Sequence, residues 1–165
     1  MSKTVYLMRH AKSSWKKPVS DRERPLNKRG KRAAFLIGEA LSEKEVKIDR
    51  VFSSTARRAR STAKRVLRAM NRPVELLTLD PALYQTDAKK LLERIKELED
   101  RFDSVLIIGH NPAISDTAVL LSGESRFDWL PTAGVVGIRF EVESWRRIAP
   151  GEGKAVLELF PKRLR

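Results

Sequence analysis

The chain contains two histidines, and each one ends a continuous apolar run. His10 follows Thr4, Val5, Tyr6, Leu7, Met8 and Arg9; His110 follows Val105, Leu106, Ile107, Ile108 and Gly109. Runs of this length suit strands of a parallel sheet that is covered by helices on both faces. The carboxyl ends of such strands emerge along one edge, where ligands bind. Both histidines are therefore expected on the same edge, within reach of one another. A single histidine after a strand is commonly a loop residue or a satisfied buried polar group. Two in this context, one of them beside Arg9, point to chemistry. Arg57 and Arg58 add to the picture, because they lie near the start of a predicted helix that follows a third strand end. A helix N-terminus favours an anion through its free N–H groups and dipole. Guanidiniums beside it grip a phosphate bidentately, and a histidine within that site can attack phosphorus as a nucleophile. No P-loop, dinucleotide glycine pattern or metal-binding motif accompanies these residues.

The elements that must position these groups follow from periodicity. A polar loop over residues 11–26 leads to Asn27, which reads as the N-cap of a helix running to about Leu41. Arg50–Ser53 reads as a short strand, followed by a helix from about Ala56 to Met70. Ala59, Ala63, Val66, Leu67 and Met70 form one apolar face of that helix, and Arg57, Lys64 and Arg68 line much of the remainder, most simply as a solvated stripe. Val74–Leu79 reads as a third strand, Asp87 to Asp100 as a helix, the run before His110 as the fourth strand, and Ala113 to Leu121 as a helix closed by Gly123. Residues 134–142 and 154–160 read as two strands of a hairpin, antiparallel at least in part. The expectation is a three-layer α/β/α sandwich with a mostly parallel sheet and an antiparallel C-terminal hairpin.

Composition limits the remaining possibilities. The 165 residues fit a single domain over 1–165, long enough to bury roughly two-thirds of the unfolded surface. Hydrophobic residues make up 41% and charged residues 33%, as in a folded globular chain. There is no cysteine, which excludes disulfides and thiolate chemistry; with only two histidines, a zinc site is not expected. The sequence has no signal-peptide pattern and no apolar run of about 20 residues, so a cytoplasmic chain without a membrane span is expected. The net charge of +13 attracts anions, whether phosphorylated small molecules, acidic protein surfaces or nucleic acid. The basic residues do not interleave with aromatic ones as a base-stacking surface requires, which disfavours nucleic acid.

With these motifs in order, the chain resembles the histidine phosphatase superfamily, the phosphoglycerate mutase-like proteins. The family's Arg-His-Gly after the first strand matches Arg9, His10 and Ala11. Its Leu-Thr-x-x-Gly matches Leu26 to Gly30, and its Ser-Pro-x-x-Arg-Ala-x-x-Thr matches Ser54 to Thr62, with Thr55 in place of the proline. The late histidine lies in Gly109, His110, Asn111, Pro112. The segment from Ala11 to Trp15, Arg24-Pro25-Leu26, Leu130 to Ala133 and the end at Pro161 to Leu164 are similar to the short SixA-type phosphohistidine phosphatases. The resemblance implies that His10 is the phosphorylated nucleophile, and that Arg9, Arg58 and His110 bind the transferred phosphoryl. It places Ser13 and Asn111 beside phosphate, and gives Arg57 no role beyond that of a surface cation. Larger family members carry a glutamate general acid after the third strand; here Ala82 falls at about that position.

The expected function is a metal-independent phosphohistidine phosphatase without cofactor, acting on a phosphohistidine-bearing protein or a small phosphorylated substrate and releasing inorganic phosphate. One alternative is a general phosphomonoesterase of small metabolites, in which Asp80 would have to be the acid. Another is a non-catalytic module that binds phosphate or nucleic acid. The complete set of Arg9, His10, Arg58 and His110 argues against the last, since binding alone has no need of a nucleophile.

Overall fold

In the computed structural model, which describes residues 1–164, the first apolar run forms β1 (Lys3–Arg9), buried along its length except at Arg9. The chain continues through α1 (Lys28–Glu43), β2 (Arg50–Ser53), α2 (Arg57–Ala69), β3 (Leu77–Leu79) and α3 (Ala88–Lys96). It then forms β4 (Ser104–Gly109), α4 (Ala113–Ser122), β5 (Val135–Phe140) and β6 (Lys154–Leu159). The six strands make one sheet in the order β3-β2-β4-β1-β5-β6. The pairings β3–β2, β2–β4 and β4–β1 are parallel, whereas β1–β5 and β5–β6 are antiparallel. The expected α/β architecture, mostly parallel with an antiparallel end, is the one the chain adopts.

Alternate residues of the central strands feed two cores. Val5, Leu7, Val105 and Ile107 pack with Leu91, Ile95, Ile114 and Leu121 of α3 and α4. Tyr6, Met8, Leu106 and Ile108 pack with Ile37, Leu41, Ala63 and Val66 of α1 and α2. Strands apolar on both faces leave solvent only their ends, and those ends carry the site. Asn27 caps α1 as expected, its side chain accepting from the Gly30 N–H at 2.8 Å. Gly123 closes α4 with φ of 73°, a left-handed conformation that costs glycine little.

Two boundaries differ most from the sequence reading. Val74–Leu76 is a 3-10 turn, and the third strand is only Leu77–Leu79. This strand lies at the sheet edge, and its only partner offers just Val51–Ser53, so the remaining apolar residues have nothing to pair with. The α3 helix stops at Lys96, although Leu98 and Phe102 remain buried. Beyond it the Asp100 carbonyl accepts from the Lys3 ammonium, and the Asp100 carboxylate accepts from Ser144 and the Trp145 N–H. These tertiary bonds replace the ones a longer helix would make. Within the hairpin connection, Trp145 forms part of a 3-10 turn, is fully buried and donates its indole N–H to the Phe102 carbonyl at 2.8 Å.

Candidate active site

The parallel register of β1 and β4 sets Arg9 opposite Gly109, so His10 and His110 leave adjacent strands at the same level. Their ring centroids are 5.2 Å apart. The His10 backbone is fixed from both sides: its N–H donates to the Gly109 carbonyl at 3.1 Å, and its carbonyl accepts from Ala133 at 3.1 Å. The Ala133 N–H also reaches the Arg9 carbonyl at 3.0 Å, with Ala133 held at φ of 61°.

Side-chain bonds orient the two rings. His10 Nδ1 lies 2.8 Å from the Ala11 carbonyl, which can only accept, so Nδ1 carries the proton. The lone pair of Nε2 then faces the Arg58 Nε–H at 3.4 Å. His110 Nε2 lies 2.7 Å from Ser54 Oγ, and its Nδ1 lies 3.4 Å from Arg58 Nη2. Because the guanidinium only donates, Nδ1 is the accepting nitrogen and the Nε2–H bonds to Ser54. Ser54 also accepts from the Ala56 N–H at the entry to α2.

Both rings are held neutral. Burial first, then the Ala11 bond in opposition, and then the charges of His110, Arg58 and Arg9 bring His10 down to about 3. Burial and the Arg58 charge bring His110 down to about 4. A buried ring among cations resists protonation and so keeps its nucleophilic lone pair.

Two cations reach the site differently. Arg58, on the first turn of α2, is buried, whereas its neighbour Arg57 points to solvent. Successive helix residues project about 100° apart, which separates the pair. Arg9 donates from Nη1 to the Leu130 carbonyl at 3.1 Å, and its buried Nε has no hydrogen-bond partner among the described residues. Thr62, one turn beyond Arg58, accepts from the Ala11 N–H at 3.0 Å and donates to the Arg58 carbonyl at 2.7 Å. This bond ties α2 to the residue after His10 and gives the threonine of the motif its use.

Asp21 is a group that sequence reasoning missed. Its main-chain carbonyl accepts from Arg58 Nη1 at 2.7 Å, and its Oδ2 accepts from Arg58 Nη2 at 3.1 Å and from the Tyr84 hydroxyl at 2.5 Å. Its Oδ1 accepts from Arg24 at 3.2 Å. These donors, Tyr84 first, hold its carboxyl at about 2, below the usual carboxylate range. Tyr84 itself stands edge-on to His110, with centroids 5.6 Å apart. The available signal was a lone pair of carboxylates, Asp21 and Glu23, in an otherwise basic loop.

The remaining candidates are close to the site but engaged elsewhere. Ser13 Oγ accepts from Arg24 at 2.6 Å, and Ser13 bridges to Leu26 to close the base of the loop. The Asn111 amide donates to the Leu130 carbonyl at 3.0 Å, while its oxygen accepts from Ser115 at 2.6 Å. Ala82 is exposed in the 3-10 turn Pro81–Leu83. Asp80 caps that turn, with Oδ1 accepting from the Ala82 N–H at 3.0 Å and Oδ2 from Arg94 at 2.8 Å. Among the described residues no group of three or more His, Cys, Asp or Glu side chains is placed to hold a metal ion.

Residues 5–83, which span β1 to the turn at Ala82, match the family model for the histidine phosphatase superfamily, branch 1. The chain belongs to the histidine phosphatase superfamily. Within that superfamily it is similar in structure to the protein histidine phosphatase SixA complexed with tungstate, with a TM-score of 0.84 and 25% identity over 98% of this chain and 99% of that one. It is also similar to SixA from Agrobacterium tumefaciens, with a TM-score of 0.81 and 26% identity over 95% of this chain and 97% of that one. An uncharacterised protein of Mycobacterium tuberculosis strain H37Rv is 33% identical over 153 residues, 87% of this chain and 93% of that protein. Against this background the SixA-type superfamily member has its paired histidines and Arg58 in one cluster at the parallel edge of the sheet.

Proposed function

We propose that the chain is a phosphohistidine phosphatase that works through a phospho-His10 intermediate and needs no divalent metal. Superfamily membership and likeness to SixA support phosphatase activity on a phosphorylated protein or small molecule. The observation that supports the phospho-His10 intermediate is the hydrogen bonding of His10, from which its tautomer follows. Its Nδ1–H is given to the Ala11 carbonyl, and its Nε2 lone pair is presented to the pocket beside Arg58. The tungstate bound by the SixA relative is a tetrahedral oxyanion, as phosphate is.

In the first step His10 Nε2 attacks phosphorus and forms an N–P bond. The N–P bond of the substrate breaks, and its imidazole leaves neutral because the other ring nitrogen carries a proton. Arg58, Arg9 and the neutral His110 line the position of the transferring group; each positioned charge of the kind the two arginines supply is commonly worth about 3–4 kcal/mol. Water then attacks the phosphorus of phospho-His10. The bond to Nε2 breaks, inorganic phosphate leaves, and the ring regains its starting tautomer with Nδ1–H still on Ala11. Neither step requires the protein to donate a proton to the leaving group.

That last property separates phosphohistidine from esters. An alkoxide needs a proton as it departs, and a positioned acid contributes about 10²–10⁴ to such a step. Ala82 offers none, and both oxygens of Asp80 are already acceptors, which weighs against the phosphomonoesterase alternative. The expected rate order is phosphohistidine, then an aryl phosphate, then an alkyl phosphate, unchanged by chelator and abolished in His10→Ala. Ala82→Glu is expected to help alkyl esters most. A sugar phosphate hydrolysed as fast as phosphohistidine, or an activity lost to chelator and restored by a metal, would overturn the proposal.

A further inference from the structure

Two large indoles stand in solvent at the mouth of the site, Trp15 at 77% exposure and Trp129 at 60%. Each is stacked by an arginine tied to the catalytic cluster. The Arg24 guanidinium lies 3.5 Å from the Trp15 ring centre and bonds to Asp21, which bonds to Arg58. The Arg9 guanidinium lies 5.5 Å from the Trp129 ring centre, and Arg9 precedes His10. Each indole thus meets an arginine of the site through a cation–π contact at the rim. Beside Arg9 opens a groove of about 700 Å³ that carries Lys12, Arg29, Lys162 and Arg163 over an apolar floor at Phe160 and Pro131. Among the described residues no carboxylate lines the groove, and none of its five cations has an ion-pair partner. Arg101, Arg126 and Arg139 each have a glutamate, whereas Arg57, Lys64 and Arg68 on α2 also lack an ion pair among the described residues; what sets the groove apart is Arg9, which joins it to the site.

Resting on the phosphoryl-transfer reading of the site, we infer that this rim and groove dock an acidic segment of the protein that carries the phosphohistidine. Exposed tryptophans are the side chains most enriched as anchors of protein interfaces, because covering them removes a large apolar area from water. A small metabolite bound in the pocket would leave both rings wet. Unpaired cations over an apolar floor suit a segment that mixes acidic and apolar side chains, and opposite charge also speeds the encounter. Arg9 joins the two regions, since it lines the groove and its charge acts on both histidines.

The test compares two phosphohistidine peptides of equal length, one with glutamate, aspartate and leucine around the histidine, the other with lysine and serine, alongside free phosphohistidine. At low salt the acidic peptide is expected to have a kcat/KM about tenfold above the lysine peptide, shrinking as salt is added. The triple variant Arg29→Glu/Lys162→Glu/Arg163→Glu is expected to abolish that preference. A matched variant, Arg57→Glu/Lys64→Glu/Arg68→Glu, makes the same change of net charge on α2 and is expected to keep it. Trp15→Ala and Trp129→Ala are expected to raise KM for the acidic peptide relative to free phosphohistidine. Equal rates on the two peptides, or equal losses in the two triple variants, would overturn the inference. Should wild-type protein hydrolyse none of the substrates, the catalytic reading fails and docking is judged separately, by indole fluorescence on titration with the unphosphorylated acidic peptide. Binding retained by the α2 variant and lost by the groove variant supports the inference; equal binding by both, or tighter binding of a single-stranded oligonucleotide, overturns it.

Discussion

Arg58 meets both histidines and Asp21 through one guanidinium, while Arg57, one residue away, meets solvent. Arg58→Ala is expected to lower the rate of phosphoryl transfer by about two to three orders of magnitude, and Arg57→Ala to leave it nearly unchanged. Single-turnover kinetics would decide this, and equal losses would mean that the helix is turned differently in the working protein. The rings themselves give a second readout. Since the chain has only two histidines, every histidine signal in an NMR titration comes from this site. With His10 at about 3 and His110 at about 4, neither ring is expected to titrate between about pH 8 and 5, where an ordinary histidine would. A signal moving with a midpoint near 6.5 would show that one ring is wetter than its surroundings indicate.

Among the elements, the N-terminus of α1 holds the strand end that bears His10. Asn27 donates its N–H to the Lys12 carbonyl at 3.0 Å, and a Cβ at Gly30 would lie 2.1 Å from that same oxygen. The glycine of the Leu-x-x-x-Gly motif is thus required by backbone against backbone, which no rotamer change relieves. Gly30→Ala is expected to cost about 1–3 kcal/mol or more in unfolding free energy and to reduce turnover by displacing Lys12 and Ala11. Denaturant melts beside kinetics would check both effects, and unchanged values for the two would contradict the contact. This is also the scale at which the sequence was most and least readable. Continuous apolar runs and a capping Asn27 write β1, β4 and α1 into local pattern, and a histidine at the end of each of two neighbouring strands follows. Asp21 and Tyr84 come from irregular segments 63 residues apart and meet through one hydroxyl bond, with Arg22 over the tyrosine ring, so no period announces them. Ser13 and Asn111 show the converse. Their place in the motifs was legible, but the commitment of their side chains to Arg24, Leu130 and Ser115 depends on packing.

For the whole molecule, the same ionisations link the site to stability. An unfolded chain would protonate each histidine near its ordinary value of about 6.5, while the folded chain resists until about 3 for His10 and about 4 for His110. Within that window the unfolded state binds more protons, so stability falls as pH drops from about 6.5 towards 3. Asp21, depressed to about 2, adds in the same direction: its contribution is present above the ordinary carboxyl value of about 3.9 and is lost as pH falls towards 2. Urea midpoints should therefore decline between pH 7 and 4, and the decline should flatten in the double variant His10→Gln/His110→Gln. An identical slope in that variant would place the acid sensitivity elsewhere.

His10 also continues the strand ladder. The amide of His10 bonds to Gly109 across the β1–β4 pair, and that of Arg9 to Gly134 towards β5. Neither bond can open without parting strands in the middle of the sheet. Amide hydrogens at Arg9 and His10 should therefore exchange with deuterium only when the entire chain unfolds, at the slowest rate the protein shows. Those of the loop that carries Trp15 should exchange sooner. In such a chain the geometry of the proposed site would last as long as the fold does.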